Sequence, residues 1–142
     1  DYWVNDRGMC LQTSTLLPKD QPVKAVACFC HGYMDNASFL KRVEYQRFVR
    51  DGIAVVTIEY EGHGRSDGTL GLITDFQRLV GDACDYFERV VTERKEFRDK
   101  ARFLVGESMG GAVSYFGYRR NPSFWAGVVL ISPMCKISDN MK

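Results

Sequence analysis

The chain has 142 residues, a net charge of +1, 45% hydrophobic residues and 26% charged ones. That length fits one domain, and the balance is that of a packed globular core, which excludes a disordered or low-complexity chain. Charges of both signs are interspersed, so no basic footprint points to nucleic acid, and no apolar run approaches the roughly 20 residues of a membrane-spanning helix.

The first elements, residues 2–4 and 9–15, are short β-rich runs around Asn5-Asp6-Arg7-Gly8, which predicts a hairpin. Residues 18–22 form a polar connector, and residues 23–30 (VKAVACFC) are an apolar run of strand length between Pro22 and Gly32. A helix is expected over residues 38–50, with Leu40, Val43, Phe48 and Val49 as its apolar stripe and Gly52 at its C-terminal cap. Residues 53–60 (IAVVTIEY) are β-branched and read as the next strand, followed by the Gly- and Asp-rich loop 61–69.

Thr74-x-x-Gln77 has the form of a capping box opening a long helix. Phe76, Leu79, Val80, Ala83, Phe87, Val90 and Val91 recur at spacings of three and four, so one face is buried. The mixed-sign run at residues 93–102 (ERKEFRDKAR) reads as a solvated helix end. Residues 101–105 form a short strand, 106–111 a tight turn, 112–120 a helix ending before Pro122, and 127–132 a last strand.

Apolar strands alternating with helices of this length predict an α/β fold, a mostly parallel sheet with helices on both faces and the hairpin at its N-terminal end. Reactive groups in such sheets gather beyond the C-terminal ends of the strands. Three loops should therefore meet on one edge: 31–36, 61–69 and 106–111.

The five cysteines, Cys10, Cys28, Cys30, Cys84 and Cys135, are odd in number and irregular in spacing, so no disulfide framework is read from them. Cys28 and Cys30 flank Phe29 in an apolar strand and should share a face as buried thiols. With His31 and His63 as the only histidines, no metal-ligand spacing exists, and no metal or organic cofactor is expected. A reducing, cytoplasmic compartment fits this usage, with membrane association left open.

The strongest chemical signal is Gly106-Glu107-Ser108-Met109-Gly110, a G-x-S-x-G pentapeptide between an apolar strand and a helix. Such a turn is so sharp that side chains two before and two after the serine would strike the neighbouring strand and helix. Glycine at both places removes the collision. The serine hydroxyl is lifted above the sheet edge, and the helix N-terminus offers partial positive charge and free N–H groups. Ser108 is therefore the expected nucleophile. A glycine-rich turn that merely contains serine is the competing reading, and the flanking strand and helix weigh against it.

An oxyanion hole around such an elbow takes one N–H from the residue after the nucleophile and one from the loop after an earlier strand. Met109 supplies the first. In His31-Gly32-Tyr33-Met34-Asp35, Gly32 lets the chain turn and Tyr33 supplies the second. The loop Glu61-Gly62-His63-Gly64-Arg65-Ser66-Asp67-Gly68 reads as a compact structural turn rather than the seat of a general base at His63. His31 belongs to the oxyanion loop and is not read as a base either.

HGYMDN, YEGHGRSDG, VGESMGGA and LISPMCKISDNMK, in this order and spacing, resemble the monoacylglycerol lipase family of α/β-hydrolase serine esterases, including its caffeoylshikimate-esterase-like branch. The resemblance covers essentially residues 1–142 and implies a lipid or small-ester substrate hydrolysed through a Ser108 acyl-enzyme, without a cofactor. The family's triad runs Ser, Asp, His, and no histidine follows Ser108 here. Asp139 matches the approach to a cap region rather than the triad acid, and reads as a solvated loop residue. The resemblance thus implies the N-terminal part of one hydrolase domain, with cap, acid and base beyond Lys142, inactive alone, and with any peripheral membrane contact made through that cap. A non-catalytic binding module and an acyltransferase or peptidase with the same elbow are the alternatives.

Overall fold

The computed structural model describes residues 1–37 and 42–136. In chain order its elements are β1 (Tyr2–Val4), β2 (Cys10–Leu16), β3 (Ala25–Cys30), α1 (Arg42–Arg50), β4 (Ile53–Ile58), α2 (Phe76–Glu93), a 3-10 turn (Lys95–Phe97), β5 (Ala101–Glu107), α3 (Met109–Arg120) and β6 (Gly127–Ile131). One sheet joins all six strands in the order β1-β2-β4-β3-β5-β6. The β1–β2 and β2–β4 pairs are antiparallel, and β4–β3, β3–β5 and β5–β6 are parallel. The partial α/β-hydrolase architecture expected from the sequence is the one observed.

The hairpin turn closes with a Gly8 N–H to Asn5 carbonyl bond of 3.0 Å, while Asn5 Oδ1 accepts the N–H groups of Arg7 and Met9. Arg7 then reaches Asp82 on α2 with both terminal nitrogens (2.7 and 3.2 Å) and Glu61 at 2.9 Å. These charge-assisted bonds tie the hairpin to α2 and to the loop after β4, and hold the guanidinium firmly charged.

Alternation along β3 sorts the helices onto two faces. The Phe29 ring packs on Tyr45 and Phe48 of α1, with centroids 4.8 and 5.1 Å apart. Cys28 and Cys30 face the other way, fully buried as expected, toward α2 and α3. There α2 and α3 pack so closely that a Cβ on Gly117 would lie 2.9 Å from Cys84 Sγ. Burial pushes the Cys30 thiol up to about 11, so it behaves as an uncharged apolar filler.

Several expectations change in detail. Of the expected helix over 38–50, residues 38–41 lie outside the described residues, and so does Leu40. The stripe of α1 runs through Tyr45, Phe48 and Val49, while Val43 is 61% exposed. The reason is angular: Tyr45 shares the 3–4 spacing with Phe48 and Val49, and Val43 falls off that face. The N-cap of α2 is Asp75, not Thr74. Its Oδ1 accepts the N–H groups of Gln77 and Arg78, because a carboxylate one residue later both caps and complements the helix dipole.

The charged run does hold the end of a helix, since α2 stops at Glu93 with Arg94 as its C-cap. Beyond it the run continues into a 3-10 turn anchored by buried Phe97, with Arg94 stacked 5.4 Å over that ring, and its last two residues open β5. Finally, the turn expected over 106–111 contracts to one residue. Strand β5 continues to Glu107, paired with Ile131, and α3 starts at Met109.

Candidate active site

Strands β3 and β4 advance toward one side of the sheet, and β5 and β6 toward the other. The direction therefore reverses between β3 and β5, whose C-terminal ends lie side by side. Open α/β sheets place reactive crevices at such a reversal. The chain leaving β3 there is His31-Gly32-Tyr33, and the chain leaving β5 is Ser108.

Ser108 is the single residue between strand and helix, at φ +52° and ψ −119°. A non-glycine residue pays about 1–3 kcal/mol for such a conformation and keeps it only when its surroundings over-determine it. Three hydrogen bonds do so. The Ser108 N–H donates to Ile131 O (3.0 Å), and the Ser108 carbonyl accepts from Gly111 N (3.0 Å) and Met134 N (2.8 Å).

The flanking glycines are sterically required. A Cβ on Gly106 would strike the Gly110 carbonyl and Ser114 Oγ; one on Gly110 would strike the Cys30 carbonyl of β3. A Cβ on Gly111 would lie 2.6 Å from Pro133. The collisions expected from the pentapeptide, with the following helix and the neighbouring strand, are those observed. Ser108 itself is exposed, and Met109 is buried as the first residue of α3.

Across the crevice, a Cβ placed on Gly32 would sit 3.5 Å from Ser108 Cβ and 3.9 Å from Ser108 Oγ. Residues 32–35 form a tight turn closed by Asp35 N–H to Gly32 O (3.2 Å), with Tyr33 and Met34 at its corner. The positive φ of this turn falls on Met34 (+57°) rather than on Gly32. Glycine at 32 is therefore not the turn-forming residue expected from the sequence; it faces the serine at contact distance. Tyr33 is held at its far end, where its hydroxyl donates to Gly71 O at 2.9 Å, and its ring meets His63 edge-on at 5.7 Å.

Neither histidine is placed as a base for Ser108. His31 is buried, with Nδ1 2.8 Å from Gly32 O and Nε2 accepting the Tyr60 N–H at 3.2 Å, so both ring nitrogens engage the backbone. His63 is 1% exposed; its Nδ1 lies 3.0 Å from Glu61 O, and its Nε2 is enclosed. Both are held inside the fold by their backbone contacts. Asp139 lies outside the described residues.

One buried group escaped the sequence reading. Glu59, 3% exposed, accepts the Ala37 N–H on Oε1 (2.9 Å) and the Arg65 N–H on Oε2 (2.7 Å). Its carboxylate occupies the space a Cβ on Gly64 would need. The available signal was a carboxylate at the end of the apolar run IAVVTI, where burial demands partners. Glu59 and Tyr33 join the 31–36 and 61–69 loops, and Gly32 brings the first of them to Ser108, so the three expected loops converge on one edge.

This strand order, with a strand–serine–helix elbow facing a glycine-backed loop across the reversal point, defines an α/β-hydrolase fold. The chain belongs to the hydrolase family described as serine aminopeptidase, S33, whose model matches residues 21–142. Among curated relatives it is 32% identical to caffeoylshikimate esterase of Arabidopsis thaliana over 142 residues, covering 99% of this chain and 42% of that protein. It is 34% identical to monoglyceride lipase of Rattus norvegicus over 140 residues, covering 94% of this chain and 42% of that one. The chain thus spans less than half the length of these relatives. Its fold matches a soluble variant of monoglyceride lipase from Saccharomyces cerevisiae, solved with a substrate analog, at a TM-score of 0.84 and 17% identity, over 99% of this chain and 46% of that one.

Proposed function

We propose that this chain carries the nucleophile and oxyanion hole of a serine hydrolase acting on carboxylic esters, monoacylglycerols or lysophospholipids foremost. The observation that carries the reading is Ser108: exposed, strained at φ +52°, and faced at contact distance by Gly32. Close packing of α3 on the sheet accounts for the flanking glycines but not for a non-glycine residue held strained and exposed at 108, which serves a hydroxyl that must meet a substrate. Ser108 Oγ attacks the ester carbonyl carbon. The backbone amides of Tyr33 and Met109 take the charge that develops on the carbonyl oxygen, and the alcohol leaves. Water then attacks the acyl-enzyme, releasing the acid and restoring the serine.

The serine proton needs a base, and His31 and His63 are both engaged inside the fold. The proposed acid and base belong to the remainder of a longer protein, beyond Lys142. A serine without its partners retains only residual catalysis, orders of magnitude below the intact enzyme. The 142-residue chain alone is therefore expected to hydrolyse p-nitrophenyl butyrate about 1,000-fold or more below ordinary esterase rates.

An apolar substrate is supported by the exposed side chains of the Gly32 loop and of the loop it touches. Tyr33, Met34, Leu70 and Leu72 are each more than half exposed, and the Tyr33–Gly71 bond joins their two loops. The names of the relatives, monoglyceride lipase and lysophospholipase L2 of Escherichia coli, agree with such a substrate.

Treatment of the whole protein with a fluorophosphonate tests the reading. Labelling that vanishes in Ser108→Ala is expected; absence of labelling in the unsubstituted protein would mean a binding module without turnover. The family description gives a peptidase reading its own support. Faster cleavage of aminoacyl p-nitroanilides than of monoacylglycerols would establish it in place of the esterase, and transfer of the acyl group to added glycerol would reveal an acyltransferase.

A further inference from the structure

From the hydrogen bonds that join the Gly32 and Gly62–Gly68 loops we infer that Glu59 is a positioning residue of the proposed hydrolase: its buried carboxylate fixes the loop that presents the Tyr33 amide. The inference rests on the reading above and goes beyond it, because Glu59 touches neither Ser108 nor any group assigned to the reaction.

Glu59 follows β4 directly and is held at its own backbone, with its N–H donating to Gln12 O (2.8 Å) and its carbonyl accepting from Ser66 Oγ (2.6 Å). Its side chain therefore starts from a fixed point. Each carboxylate oxygen accepts a different loop: Oε1 takes Ala37 N at the end of the Gly32 loop, and Oε2 takes Arg65 N in the Gly62–Gly68 loop. Bonds to an ionised acceptor are roughly twice as strong as neutral ones, and burial strengthens them further.

The local backbone is shaped around this group. Gly64 takes φ +56° and has no Cβ where the carboxylate lies, so the loop gives up both a side chain and an ordinary conformation to admit it. The Gly32 loop is held at its start by His31, whose Nε2 accepts the Tyr60 N–H, and at its corner by the Tyr33–Gly71 bond. Glu59 holds its far end. An oxyanion donor must stay within fractions of an ångström of its productive position, and a displacement near 1 Å costs about 100-fold in rate. Releasing the Glu59 tie should therefore slow the step in which the oxyanion forms and leave substrate binding nearly unchanged.

The test uses the whole protein, with active sites counted by fluorophosphonate labelling carried to completion. Rates are expressed per labelled serine, which separates positioning from loss of folded protein. In Glu59→Gln one acceptor becomes an NH2 group opposed to a backbone N–H. The expected result is a kcat per labelled site about 10- to 100-fold lower, with KM for a soluble short-chain ester within about twofold. Glu59→Asp keeps the charge and should recover part of the loss; it also serves if Glu59→Gln yields no folded protein. An unchanged kcat per labelled site in the variants, with only the number of sites reduced, would overturn the inference and leave Glu59 a purely structural residue. An unsubstituted protein that fails to label would overturn the hydrolase reading itself, and this inference with it.

Discussion

At Ser108 the chain accepts an unfavourable backbone conformation, and the cost is contained by residues that contribute nothing chemical. Gly110 is the most constrained of them, because the carbonyl it approaches belongs to β3, a central strand paired on both sides. Such a strand cannot yield. Gly110→Ala is therefore expected to lower stability by about 2–4 kcal/mol in urea unfolding and to abolish fluorophosphonate labelling of the whole protein. Gly8 provides the contrast: its φ is +76°, but nothing lies within 4 Å of an added Cβ. Gly8→Ala should cost only about 1 kcal/mol and leave labelling intact.

Among the elements, α2 shows how a local signal is resolved by geometry. Thr74 and Asp75 are both good caps by composition, and the sequence pattern favoured Thr74 because Gln77 stands three residues on. The helix starts at Phe76, and Asp75 Oδ1 takes two of the first free N–H groups. Asp75→Ala is accordingly expected to cost about 1 kcal/mol in chemical denaturation, while Thr74→Ala stays within a few tenths. Equal losses for the two would show that the cap is shared. The same lesson holds in α1, where Tyr45 replaces Val43 on the buried face because the Phe29 ring of β3 selects what packs there.

At the scale of the whole chain, the sheet of the described residues ends on β6, and its Val129, Leu130 and Ile131 are each more than 40% exposed. An apolar strand at an edge presents unpaired backbone groups as a template for other chains. The 142-residue chain should therefore associate at micromolar concentrations, and Val129→Lys should shift it toward monomer in size-exclusion chromatography. An association unaffected by this charge would place the contact elsewhere.

Much of this protein was legible in its sequence, and for a local reason. Hydrophobic periodicity, glycine placement and strand length are short-range properties, so the strands, the alternation with helices and the Ser108 elbow could be read directly. Glycines 106 and 110 announced a backbone collision that the fold confirms. What only the tertiary structure decided involves groups distant in the chain. Glu59 meets Ala37 across 22 residues, Tyr33 meets Gly71 across 38, and Arg7 meets Asp82 across 75. No short-range pattern encodes those partners. They are set by which strands become neighbours, and it is that neighbourhood, β3 beside β5 at the reversal of the sheet, that brings Gly32 up to Ser108.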